Sequence, residues 1–254
     1  MGTKGRDRSR EMRAARAAEL AREKRRHTIL RIVGAVVIVG LLAAIAIAVA
    51  KSISGDDKPV ATGKVVAPAN VEDSGGFLVG DPAAPVTLEL YYDYMCPACG
   101  AFEATNGEEL SRLIDDGTLQ VDLRVMAFLD EQSRGTEYSS RAANAYATVA
   151  DADPDHVWDF HAALYANQPT EGTEGLTDDQ IAELATGAGV PADVAGTFTD
   201  GIHRGWVAQM TQDAFGAGVD STPTVKIDGQ IYTGDWSTPG ELTKAIEAAA
   251  AGAE

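Results

Sequence analysis

Cys96 and Cys99 are the only cysteines in 254 residues, and only Pro97 and Ala98 separate them. A bridge between them would close so short a loop that it removes little entropy from the unfolded chain, so the pair is a poor staple. Its setting suits redox chemistry better. The run Val86 to Tyr92 is rich in β-formers, and the stretch from Pro97 is compatible with a helix. Proline is at home at a first helical position, where its missing N–H costs nothing. A thiol at that junction faces unpaired backbone N–H groups and the positive end of the helix dipole, which favour thiolate. The chain is thus constrained to a strand–CxxC–helix unit.

Two other readings of the pair compete with this one. Zinc needs four ligands. His156 and His161 have H-x4-H spacing, but they begin 57 residues beyond Cys99, far outside a zinc-finger gap. An inert local bridge remains open on spacing alone. The proline after a strand favours a redox turn, with no metal and no cofactor beyond the cysteine pair itself.

Charge divides the chain. Residues 1–31 carry eleven Lys/Arg and four acids, whereas the remaining 223 residues carry 10 basic and 34 acidic side chains, a net −24. So acidic a body excludes nucleic acid as a partner. Between the two lie 19 uncharged apolar or glycine residues, Ile32 to Ala50. At about 1.5 Å per residue they span a bilayer's hydrocarbon core. The basic flank assigns residues 1–31 to the cytoplasm, residues 32–50 to a single transmembrane helix and the rest to the outside. Ala48-Val49-Ala50 also resembles a signal-peptide cleavage site, but the apolar run exceeds a signal's usual length. Either topology puts the cysteines where disulfides persist.

Residues 51–75, poor in large apolar groups, read as a flexible linker in which Val65-Val66 could form a short edge strand. The domain then covers 76–254. A strand from Val86 leads into the CxxC, and a helix follows from Pro97 towards Ile114. Asn106-Gly107 interrupts that helix and predicts a kink. Leu119 to Met126 alternates as a second strand, with Asp122 and Arg124 on the face away from the core. From about 133 to 218 the pattern is helical, with Thr177 to Gln180 as a capping box. Thr224–Ile227 and Gln230–Tyr232 flank Asp228-Gly229 as a hairpin, and Thr238 to Glu241 caps a last helix. Strands on both sides of a helical block predict one α/β sheet carrying a helical insertion.

Ser221-Thr222-Pro223-Thr224-Val225 precedes the hairpin. A strand-entry proline accounts for this equally well in isolation. Beside a CxxC, a cis Pro223 would expose the Thr222 backbone to a bound chain, and its missing N–H avoids competing for sulfur.

Taken together, Val86 to Glu103 with its Cys-Pro-Ala-Cys, the helical block, and Gly218 to Val225 resemble the DsbA family over about residues 76–254. These are thioredoxin-fold thiol–disulfide oxidoreductases of bacterial envelopes, and the anchor is similar to that of actinobacterial members. The resemblance implies a thioredoxin-like fold with a helical insertion, Cys96 as attacking thiolate, Cys99 as buried resolving cysteine and Pro223 as cis-proline. It also implies unfolded exported proteins with free thiols as substrates. The implied reoxidant is a membrane protein of DsbB or vitamin K epoxide reductase type.

Two departures carry consequences. Ala98 stands where the family's common oxidase has histidine, which predicts a Cys96 pKa below that of free cysteine but above about 3.5. Leu90 stands where many relatives place a buried acid, with Glu89 on the opposite strand face. His156, His161 and His203 read as surface or helix-packing residues, and Asp93 and Tyr94 as the rim or a strand-end turn. The leading expectation is a membrane-anchored dithiol oxidase. A reductase or isomerase, and a non-catalytic redox-sensing binding module, are the alternatives.

Overall fold

The structure, a computed structural model, describes residues 64–72 and 75–252. The basic segment 1–31, the apolar run 32–50 and the first half of the expected linker lie outside the described residues. Those described belong to one compact unit, Val60–Glu254.

Five strands, β1 (Phe77–Val79), β2 (Val86–Tyr92), β3 (Leu119–Val125), β4 (Thr224–Ile227) and β5 (Gln230–Ile231), form one sheet in the order β1-β3-β2-β4-β5. Strands β2 and β3 are parallel, and every other neighbouring pair is antiparallel. A parallel pair requires a crossover, which helix α1 (Pro97–Asp115) provides. Between β3 and β4 come α2 (Tyr138–Ala152), α3 (Val157–Ala166), α4 (Asp178–Gly187), α5 (Ala192–Ala195) and α6 (Arg204–Gly216). Helix α7 (Glu241–Gly252) follows the hairpin. The result is the expected α/β sheet with its helical insertion.

The sheet's two faces differ in chemistry. Leu88, Leu90 and Tyr92 of β2 are in register with Val121, Leu123 and Val125 of β3. All six are buried, and they join Phe102, Leu110 and Leu113 of α1 and Leu242 and Ile246 of α7 in the main core. Each such side chain contributes about 1.5–3 kcal/mol by leaving water. The other face carries a charge ladder. Lys226 lies 3.1 Å from Glu89, and Arg124 lies 2.6 Å from Asp122. The Tyr91 ring receives both Arg124 and Lys226 at 5.2 and 5.1 Å from its centroid. Glu89 is thereby committed to ion pairs on the face away from α1.

Several expectations are corrected. Phe77–Val79 pairs with β3 as an edge strand, whereas residues 65 and 66 form none. Residues 64–72 instead lie along the helical block. The Val66 carbonyl accepts from His203 Nδ1 at 2.9 Å, and the Asn70 amide reaches the Ala150 and Asp151 carbonyls. Helix α1 runs unbroken through Asn106-Gly107, because the Asn106 amide donates to the Phe102 and Trp236 carbonyls. Both residues are buried. Thr177 and Gln180 do form a reciprocal capping box. The Thr238 hydroxyl does not cap α7, since it donates to Asp235.

Candidate active site

Strand β2 delivers the chain to the C-terminal edge of the sheet, where Asp93 turns it. The Asp93 carboxylate accepts from the Met95 N–H at 2.7 Å, the Ser139 hydroxyl at 2.7 Å and the Leu129 N–H at 2.8 Å. Its carbonyl accepts from the Cys96 N–H at 3.0 Å and the Tyr165 hydroxyl at 3.1 Å. Asp93 is fully buried, and that burial pushes its pKa up to about 6. The residue read as a rim or turn position is thus the knot of the turn. It ties β2, the loop after β3 and helix α2 to the cysteine motif.

Cys96 caps α1 with extended backbone angles, and Pro97 opens the helix. Both cysteines are free thiols. Cys96 is 7% exposed and Cys99 not at all, so an incoming sulfur has only Cys96 to meet. Cys96 has its pKa lowered to about 6. A hydrogen bond from the Cys99 thiol is the main cause, burial opposes it, and the Thr222 side chain and the N–H groups of Cys99 and Ala98 add to it. The value falls between free cysteine and the strongest oxidases, as expected with Ala98 between the cysteines. Burial is the chief cause that pushes Cys99 well above the ordinary thiol range. One sulfur is therefore poised to react and the other to stay protonated.

The Thr222–Pro223 bond is cis, and the Cys96 thiol donates to the Thr222 carbonyl at 3.3 Å. The structure thus brings Cys96, Cys99, Pro97, Ala98, Thr222 and Pro223 into one site. The Thr222 hydroxyl is buried without a hydrogen-bond partner among the described residues. It favours the ionised form of both sulfurs, so it is placed to donate once a thiolate forms.

Two further parts escaped the sequence reading. Gln168, just beyond α3, donates its amide to the Tyr94 and Cys96 carbonyls at 3.2 and 2.8 Å. Gly100 makes room for it, since a Cβ there would overlap the Gln168 amide oxygen. His161, expected as a surface or packing residue, is fully buried among Tyr92, Tyr94, Tyr146, Trp158 and Tyr165. No local pattern announces Gln168 or the His161–Tyr94 contact, because those partners lie some 70 positions away in the chain. Among the described residues no group of three His, Cys, Asp or Glu side chains is placed to hold a metal.

A family model described as thioredoxin matches residues 72–248. The chain is 28% identical over 179 residues to serine/threonine-protein kinase PknE of Mycobacterium tuberculosis, covering 67% of this chain and 31% of that one. It therefore spans about a third of that relative. Its fold matches oxidised DsbA from M. tuberculosis at 34% identity and TM-score 0.57, over 72% of this chain and 97% of that one. It also matches MdbA, a thiol–disulfide oxidoreductase from Actinomyces oris, at 25% identity and TM-score 0.62, over 76% and 94% of the two chains. With a family match over most of its length and a CxxC set against a cis-proline, the chain belongs to the thioredoxin family and, within it, to the DsbA-like thiol–disulfide oxidoreductases.

Proposed function

We propose that the protein is a membrane-anchored dithiol oxidase that introduces disulfides into exported proteins. The observation that carries this is the asymmetry of the cysteines: a Cys96 that keeps a small exposed edge and has its pKa lowered to about 6, and a fully buried Cys99 held as thiol. A stabilised thiolate stabilises the reduced protein, and a stable reduced form is what drives disulfide donation. A substrate thiolate attacks Cys96 of the oxidised pair, the Cys96–Cys99 bond breaks, and a mixed disulfide forms. A second substrate thiolate then displaces Cys96, leaving an oxidised substrate and a reduced enzyme. Thr222 and Pro223 present an edge along which an extended chain lies, held by main-chain bonds and so with little sequence preference.

In this reading residues 1–31 are cytoplasmic, residues 32–50 span the membrane, and the chain from Lys51 leads to the catalytic domain outside, which residues 64–72 join by packing on the helical block. Eleven basic residues before a 19-residue uncharged apolar run support that orientation. The electrons leave through a membrane reoxidant of DsbB or vitamin K epoxide reductase type, and a shared membrane plane raises the effective concentration of the two.

The reduction potential of the full-length chain, equilibrated with glutathione, tests the direction. A value of about −120 to −180 mV is expected, whereas one near −270 mV would make the protein a reductant or isomerase. The likeness to a chain named as a kinase favours one second reading, a redox-sensing module. Cys99→Ala separates the two: an oxidase traps substrates covalently on Cys96, and a sensing module traps none.

A further inference from the structure

Whichever direction electrons take, Cys99 must lose a proton when it attacks and regain one when it leaves. It is fully buried, so bulk water cannot serve it. Strand β2 offers no acid below it, because Leu90 fills that place and Glu89 pairs with Lys226 and Arg124 on the far face. Helix α1 does offer one. Glu103 lies four residues after Cys99, on the same helix face and one turn further along. Its side chain is only 11% exposed. The carboxylate accepts from the Tyr92 hydroxyl at 3.4 Å, and its Oε2 lies 3.5 Å from His161 Nε2.

Two features show that this carboxylate is seated inward by construction. Gly107, a buried glycine in mid-helix, leaves the space the carboxylate fills, for a Cβ there would overlap Glu103 Oε1. Glycine at such a position costs about 1 kcal/mol against alanine. His161 Nε2 is buried with no hydrogen-bond partner and faces only this carboxylate among the ion-pairing groups described. His161 Nδ1 is meanwhile fixed at 3.0 Å from the Tyr94 hydroxyl, and its ring lies between Tyr92 and Trp158. Tyr92 connects the pair to the site. Burial first, then Glu103, then Cys99 push the Tyr92 phenol upward. The other titratable groups facing the pair are Tyr94, Tyr146 and Tyr165, which burial keeps neutral.

We propose that the Glu103–His161 pair is the proton store for Cys99. When a substrate thiolate attacks Cys96, the Cys96–Cys99 bond breaks, Cys99 leaves with the electron pair, and a proton from the pair converts it to a thiol. On reoxidation Cys99 attacks the mixed disulfide on Cys96, its proton returns to the pair, and the displaced sulfur departs with its electrons. The store supplies protons alone; both electrons pass between sulfurs. Glu103 and His161 contact no substrate, and the Tyr92 hydroxyl, bonded to Glu103 and sensitive to Cys99, is the carrier: it gives its proton to one side as it takes one from the other.

The inference rests on exchange through Cys96 and Cys99 but not on its direction. It is tested by mixing the reduced full-length chain with oxidised glutathione and following two phases, attack by Cys96 and then attack by Cys99. Glu103→Gln is expected to slow the second phase 10- to 100-fold at pH 7 while the first stays within twofold. The deficit should vanish at alkaline pH, where Cys99 ionises unaided, and Glu103→Asp should restore part of the rate. His161→Gln, which keeps a polar group in the cage, should slow the same phase. Normalising each second phase to the first in the same sample removes any effect of partly folded variant. A second phase unchanged in both variants, or slowed equally at every pH, overturns the proposal. An absent first phase would instead strike at disulfide exchange itself.

Discussion

At the scale of single residues, two buried titrations define the site. Asp93 has its pKa raised to about 6 by burial, so the folded chain holds this proton more tightly than the unfolded chain does. Its contribution to stability is full below about pH 4 and is lost as pH rises through 6, on the order of 2–3 kcal/mol. Urea melts from pH 4 to 7 should show that slope, and Asp93→Asn should flatten it. The variant should also disturb the turn, because its amide would meet a main-chain or hydroxyl donor that the carboxylate accepts. Cys96 behaves oppositely, with its pKa lowered to about 6. Its alkylation rate should rise with pH to a midpoint near 6, and Thr222→Val should move that midpoint upward. Cys96 and Cys99 stood out by residue type and spacing, whereas Pro223 was singled out only beside the CxxC and by the family resemblance. The aromatic cage around His161 was not legible, because what encloses a histidine comes from several elements.

Helix α1 shows what a sequence-level irregularity can mean. Asn106-Gly107 reads as a break, yet the helix continues and uses both residues. The Asn106 amide ties α1 to the Trp236 carbonyl, and Gly107 houses the Glu103 carboxylate. Gly107→Ala should therefore leave the protein as stable or up to about 1 kcal/mol more stable, by thermal melting, while slowing the Cys99 phase as Glu103→Gln does. Gly100→Ala should swing Gln168 off the two carbonyls it holds, so Cys96 alkylation should change even if the melting temperature rises. The longer elements were legible because a period of two or of 3.6 persists across them. Strand β1 was not. It has three residues with Leu78 exposed, and what makes it a strand is pairing with β3, more than forty residues away.

For the whole molecule, charge is the dominant long-range property. Thirty-four acids against ten basic residues after position 31 make the body strongly anionic. Cationic peptide thiols should be oxidised several-fold faster than anionic ones at low salt, and the two rates should converge above about 0.5 M salt as screening shortens the field. Stopped-flow rates across ionic strength check this. The order of elements also emerged at this scale, since strands on both sides of a helical block leave few ways to build one sheet. What stayed hidden was how that block meets the cysteines. Such contacts join distant positions and leave no periodic trace.

Those contacts limit how the protein can be re-engineered. Ser139, Tyr165 and Gln168, all from the helical block, hold the turn and the carbonyls around the CxxC. Transplanting Cys-Pro-Ala-Cys into another thioredoxin scaffold would carry over the tetrapeptide but leave its scaffolding behind. A chimera that keeps this chain's strands and borrows a relative's helical block should lose its redox poise even though both halves fold. The block and the motif are a single inherited part, and exchange of either alone is a change to both.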